Sequence, residues 1–200
     1  MPDPRFMRGA PFDEQREYLI EAVRADSVAE TILVRMAATE LPSWRLAAGA
    51  VYQNVWNALT GRPPGYGVKD YDLVYFDASD LSFEAEDRMI RAAADTFADI
   101  AATIEVRNQA RVHLWYPARF GREIAPITSI EDAIGRYAAD AHKVGLAMDP
   151  DGGYALTAPA GLDAVFDLRV EPSGAPSDPE GFAAKLQRMK QLWPELKASV

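Results

Sequence analysis

The sequence predicts an α/β (α+β) protein, a β-sheet flanked by helices, with N-terminal helices before the sheet and a C-terminal helix after it. Three features point to this class. The apolar run 44–48 stops at Gly49 and turns helical through Val51, Val55 and Leu59, a strand, tight turn and helix. Residues 71–76, Tyr-Asp-Leu-Val-Tyr-Phe, are apolar on both faces apart from Asp72, as in a central strand covered on both sides. Later apolar runs are short and alternate with helical patterns and turn residues.

Residues 1–12 read as a flexible Pro/Arg arm, and 13–200 as a single domain, which a chain of 200 residues favours. Leu19, Ala22 and Val23, then Val28, Ile32 and Met36, recur at helical spacing and give two helices that break at Asp26-Ser27. Ser27 and Glu30 have capping-box spacing. After the first strand and helix, the loop 61–67, Gly-Arg-Pro-Pro-Gly-Tyr-Gly, is too rich in Gly and Pro for either element. A helix capped by Asp80 or Ser82 follows the central strand, with Glu84 and Glu86 in its first turn. Runs 104–106 and 112–116 read as strands of a hairpin turning at Asn108-Gln109-Ala110. Ser129 and Asp132 start another helix, and 144–146 with 154–157 flank a strong turn at 149–153. A Pro-rich linker at 171–179 leads to an amphipathic helix through Phe182, Leu186, Met189 and Trp193. Trp44, Trp56, Trp115 and Trp193 all sit in apolar patterns and are expected in the core.

Composition narrows the chemistry. There is no Cys, which excludes disulfides, thiolate metal sites and thiol nucleophiles. The formal charge of −9 disfavours a long nucleic acid or an anionic membrane as partner. No segment approaches a membrane span or a secretory signal, so the expected location is cytoplasmic.

The most informative residues are Asp70 and Asp72. On a strand they share a face, roughly 6 to 7 Å apart, where one divalent cation can bridge them. A carboxylate buried in this apolar run needs compensation, by a metal or by Arg or Lys. Carboxylate oxygens suit Mg²⁺ or Mn²⁺ rather than Zn²⁺. The plain structural alternative is that Asp70 caps the loop and Asp72 accepts backbone hydrogen bonds. Small residues at Ala48-Gly49-Ala50, leading into a helix, let backbone N–H groups approach an anion, although such a turn is often only a turn. The expected hairpin puts Glu105, Arg107, Arg111 and His113 on one polar face. That face is either solvated or lines the cleft beside Asp72, giving a third carboxylate and two phosphate-reading cations. His142 with Lys143, near a helix end, suits a structural role.

This order of strand, Gly49-Ala50, helix, Asp70-x-Asp72 and a later Glu105 resembles the nucleotidyltransferase superfamily that includes DNA polymerase beta, aminoglycoside nucleotidyltransferases and the tRNA CCA-adding enzymes. More closely, the runs 48–51, 55–59, 69–72, 74–77, 106–116, 130–134 and 158–163 are similar to a family of small bacterial nucleotidyltransferase-like proteins of unassigned substrate. The similarity runs from about Ala25 to Leu196. It departs from the superfamily where Ala50 replaces a usual Gly or Ser, and where 20 residues separate Gly49 from Asp70.

The resemblance implies a mixed sheet and a cleft in which Asp70, Asp72 and Glu105 hold Mg²⁺ or Mn²⁺ and carry catalysis. It implies nucleotide contacts from Gly49, Ala50, Lys69, Arg107, Arg111 and His113. The expected activity is metal-dependent transfer of a nucleoside monophosphate from a nucleoside triphosphate to a hydroxyl on a small-molecule or protein acceptor. The alternative is a catalytically degenerate module that binds nucleotide or protein, in keeping with Ala50 and the long spacing.

Overall fold

The computed structural model describes residues 3–39, 41–174 and 178–198. The expected arm and linker therefore fall in part, at 1–2 and 175–177, outside the described residues. A 3-10 turn at Pro4–Phe6 leads into helices α1 (Phe12–Ala25) and α2 (Ser27–Ala37). Asp26, not Ser27, caps α2. Its carboxylate accepts from the Val28 and Ala29 amides, reaching from the cap position the donors that an unfinished first turn leaves open. Glu30 instead pairs with Arg24 at 3.1 Å.

Strand β1 (Arg45–Ala47) and helix α3 (Gly49–Thr60) follow, then β2 (Tyr71–Tyr75), α4 (Phe83–Thr96) and β3 (Ile104–Asn108). Helices α5 (Val112–Phe120) and α6 (Ile130–Gly135) precede the hairpin β4 (Gly145–Met148) and β5 (Tyr154–Thr157). Short α7 (Asp163–Phe166) and β6 (Arg169–Val170), helix α8 (Pro179–Leu192) and β7 (Lys197–Ala198) complete the chain. The main sheet has the order β3-β2-β1-β4-β5. Strands β2 and β3 are parallel and the other neighbours antiparallel, so the sheet is mixed.

The alternation of β2 divides the structure. Tyr71, Leu73 and Tyr75 join Leu46, Val106 and Leu146 in the large core against α1, α2 and α3. On the opposite face Ala47 and Val74 pack with Ile130 and Ile134 of α6. Asp72 belongs to this second, thinner layer by strand parity.

The expected hairpin at 104–116 does not form. Strand β3 pairs with β2 after the α4 crossover. The Asn108 carboxamide then accepts from the Asp77 and Ala110 amides and closes a 3-10 turn at Gln109–Arg111, from which α5 continues. The residues 112, 114 and 116 read as alternating, but 112, 115, 116 and 120 are also spaced as one helical face, and the helix wins. Trp115 is consequently 40% exposed and not in the core, while Trp44, Trp56 and Trp193 are buried.

The Gly/Pro loop is fastened rather than free. Asn54 accepts from the Gly65 amide at 2.8 Å, and Asn57 donates to the Tyr66 carbonyl at 2.9 Å. Asn54 also donates to the Asp26 carboxylate, as does the Tyr71 hydroxyl at 2.8 Å. The loop thus reaches the start of β2 along a buried polar network.

Candidate functional site

The site is built on the thinner face of the sheet. Parallel pairing sets Asp72 opposite Glu105, and Val74 opposite Arg107. Antiparallel pairing sets Ala47 on the other side of Asp72. Asp70 lies just before β2, with the same parity as Asp72 and its side chain one-third exposed.

Above this face opens a cavity of about 800 Å³. Asp72, Val74 and Arg107 line its floor, and Ala48 stands at the turn into α3. Aromatic residues of α5, the 136–143 segment and α8 form the walls, and α8 contributes Phe182 and Lys185. Among the lining cations, Lys143 is held by Asp140 at 2.9 Å and Arg136 by Asp132 at 2.7 Å. Arg107 stands 3.8 Å from Glu105. Lys185 is exposed and its charge reaches both Asp72 and His142.

Burial drives the electrostatics. The Asp72 carboxyl is pushed up to about 6, first by desolvation and next by the Asp70 charge. Lys185 and Arg107 pull it back, while Glu105 adds to the rise. Negative charge at this spot is thus only partly offset by the protein. His142, buried at the cavity wall, is pushed down to about 3, chiefly by desolvation and further by Lys185. The Tyr137 hydroxyl is raised by burial and by the Asp72 charge.

The donor set fits a hard cation bound through a few carboxylate oxygens. Among the described residues no three His, Cys, Asp or Glu side chains gather closely enough to chelate a metal by themselves. A cation at Asp70 and Asp72 would complete its shell with water and substrate oxygens, the usual habit of Mg²⁺.

The turn between β1 and α3 is unusual at Ala48, not at Gly49. Ala48 has φ 49° and ψ −114°, a conformation that favours glycine. Its N–H donates to the Val144 carbonyl at 2.9 Å, and its own carbonyl accepts from Val51 and Tyr52. The surrounding backbone therefore fixes a strained residue beside the cavity.

The structure sets Asp70 and Glu105 near Asp72, but of the four expected residues Asp70, Asp72, Glu105 and Arg107 it is Asp72 and Arg107 that line the cavity, and it separates other expected contacts. Ala50 is fully buried in the core, so only backbone is available at that turn. Lys69 points outward, its side chain 75% exposed and its ammonium 3.6 Å from Asp70. Arg111 turns away from the cavity into a buried ion pair with Glu86 and donates to the Leu81 carbonyl at 3.0 Å. His113 rides on α5, where its Nδ1 is buried without a partner, and does not line the cavity. Both departures follow from the helix at 112–120, which replaces the strand that would have aligned Arg111 and His113 with Glu105. Lys185 carried no sequence signal, because it sits among the polar positions of an ordinary amphipathic helix 113 residues after Asp72.

The nucleotidyltransferase family matches residues 34–198. A structure solved by NMR, described as revealing a CCA-adding enzyme head domain, superposes with a TM-score of 0.73 at 24% identity. The match covers 90% of this chain and 94% of that one, and it agrees with the mixed sheet flanked by helices. A chain from a tRNA-processing enzyme complex aligns with a TM-score of 0.45 at 15% identity, over 78% of this chain and 40% of its own length. No curated protein matches the chain. Among the described residues no helix is long and apolar enough to cross a membrane. The family match spans most of the chain and includes every residue of the cavity floor, and the protein therefore belongs to the nucleotidyltransferase family.

Proposed function

We propose that the protein transfers a nucleoside monophosphate from a nucleoside triphosphate to a hydroxyl on a small-molecule or protein acceptor, using Mg²⁺ or Mn²⁺. The observation that carries this is Asp72, a half-buried carboxylate on a cavity floor with Asp70 and Glu105 adding negative charge and Lys185 and Arg107 opposing it. Asp70 and Asp72 would hold the metal, with Glu105 beside them as the third carboxylate. When bound, the metal neutralises charge on the α-phosphate and the leaving pyrophosphate. Glu105, opposite Asp72, would take the proton of the acceptor hydroxyl as its oxygen attacks the α-phosphorus and the bond to pyrophosphate breaks. Lys185 and Arg107, which line the cavity and act on the Asp72 charge, would meet phosphate oxygens. The backbone at Gly49-Ala50 would offer N–H groups at the start of α3, a favourable place for anionic oxygens.

The description of the NMR structure as a CCA-adding enzyme head domain supports nucleotidyl chemistry on this fold. The charge of −9 argues against a long polynucleotide acceptor, which needs clustered Lys and Arg along its track.

Calorimetry with each nucleoside triphosphate, with and without Mg²⁺ or Mn²⁺, tests the proposal on the wild type and on Asp72→Asn. Metal-dependent binding in the wild type that is lost in the variant is expected, together with pyrophosphate release in an acceptor screen. Binding that ignores metal and Asp72 would overturn the site. Saturable binding without pyrophosphate release would identify a nucleotide-binding module instead.

A further inference from the structure

Helix α5 is apolar yet none of its side chains is buried. Seven of its nine residues are apolar: Val112, Leu114, Trp115, Tyr116, Pro117, Ala118 and Phe120. Such a helix ordinarily hides its apolar face in a core. Here Val112, Trp115, Tyr116 and Phe120, spaced as one helical face, line the cavity that holds Asp72. Trp115 is 40% exposed, and it is the large exposed hydrophobic residue that lines this cavity. Its ring lies 6.2 Å from that of Tyr116, which in turn lies 4.6 Å from Phe120, so the aromatic surface is continuous. The Arg122 guanidinium sits 5.9 Å from the Tyr116 ring at the edge of this surface.

The cavity therefore has a polar end and an aromatic end. Its floor supplies Asp72 with Arg107, and α8 supplies Lys185, which suits a phosphorylated, metal-bound group. Its wall supplies an exposed indole, which suits a flat π-system. A ligand that uses both ends carries phosphates on an aromatic heterocycle.

We propose that Trp115 is the stacking platform for the nucleobase of the nucleoside triphosphate bound at Asp72. The inference rests on the nucleotidyltransferase reading above and adds where the base lies. Stacking on an indole accepts every base, so this wall confers binding with little base preference. Tyr116, itself packed on Phe120, lies beside the indole, which keeps 40% of its surface exposed at the cavity. The occupant is a small phosphorylated molecule rather than a protein helix, because the aromatic stripe shares its cavity with Asp72, Arg107 and Lys185.

The test compares the wild type, Trp115→Ala and Trp115→Phe in calorimetric titrations with ATP, GTP, CTP and UTP, and with inorganic tripolyphosphate, all with Mg²⁺. Trp115→Ala is expected to weaken all four nucleotides about tenfold or more while leaving tripolyphosphate unchanged, and Trp115→Phe to restore most of the loss. Nucleotides should also quench or shift the fluorescence of the exposed Trp115 in the wild type, and no such change should remain in Trp115→Phe. Nucleotide affinities within twofold of wild type in Trp115→Ala would overturn the platform, and so would an equal loss for tripolyphosphate. If the wild type binds tripolyphosphate as tightly as nucleotides, the platform fails and the phosphate site at Asp72 stands. If the wild type binds neither, the underlying nucleotidyltransferase reading fails and the platform falls with it.

Discussion

Asp72 stands directly opposite Glu105 in the parallel register of β2 and β3, so two carboxylates from strands 33 residues apart share one face of the sheet. Side-chain alternation and the α4 crossover set them side by side, with Asp72 on the cavity floor and Glu105 next to it on the neighbouring strand. Burial of Asp72, and the charges of Asp70 and Glu105, raise its carboxyl to about 6.

This sets a pH dependence with a definite sign. The folded-state value near 6 lies above the ordinary 3.8, so the folded protein holds the proton more tightly than the unfolded chain. The cost of ionised Asp72 is fully present above pH 6 and is relieved as pH falls from 6 towards 4. Without divalent metal, Asp72→Asn should stabilise the protein at pH 8 by on the order of 2–3 kcal/mol, and by little at pH 4. Urea unfolding of both proteins in chelator at the two pH values measures this, and a pH-independent difference would refute it.

His142 carries the opposite sign. Its imidazole is buried against Tyr52, with ring centroids 5.1 Å apart, and is held neutral down to about pH 3. The unfolded chain takes up a proton below the ordinary value of 6.5, so stability is lost progressively as pH falls from 6.5 towards 3. His142→Phe, which keeps the ring stack, should flatten this acid loss. Thermal unfolding from pH 7 to pH 4 reads the difference in slope.

Arg111 and Glu86 form an ion pair that is about nine-tenths buried on both sides. Glu86 also accepts from the Asn108 amide at 2.9 Å, just beyond the cavity-lining Arg107. Arg111→Ala strands a buried carboxylate and should cost about 3–5 kcal/mol, whereas combining Arg111→Met with Glu86→Gln should recover most of it. Chemical denaturation of the single and double variants checks the pair, and a single variant of wild-type stability would refute its structural role.

Gly67 has φ 73°, and a Cβ there would come within 2.5 Å of the Trp193 ring. Trp193 in turn donates to Asn57 at 3.0 Å, so the loop before Asp70, the helix α3 and the end of α8 meet at this point. Gly67→Ala should cost about 2–4 kcal/mol, from crowding added to backbone strain. Gly61→Ala, at φ 70° with open space around it, should cost only about 1–2 kcal/mol. Comparing the two urea midpoints separates crowding from backbone conformation.

Local pattern alone determined much of this molecule. The period of apolar residues marked the two N-terminal helices, the strand at 71–75, the hairpin at 145–157 and the buried face of α8, because each pattern depends on neighbours a few residues away. The spacing of Asp70 and Asp72 gave them the same strand parity, with Asp72 in β2 and Asp70 just before it. Tertiary structure decided what lies across from that face. Whether 112–116 continued as strand or helix depended on β3 finding β2 as its partner, and that choice turned Arg111 into the core and Trp115 towards the cavity. Lys185 came to Asp72 only through the docking of α8, an event set by Phe182, Leu186, Met189 and Trp193 burying themselves on a distant surface. Short-range periodicity is written in the order of residues, whereas the meeting of remote side chains depends on which surfaces the whole chain can bury together.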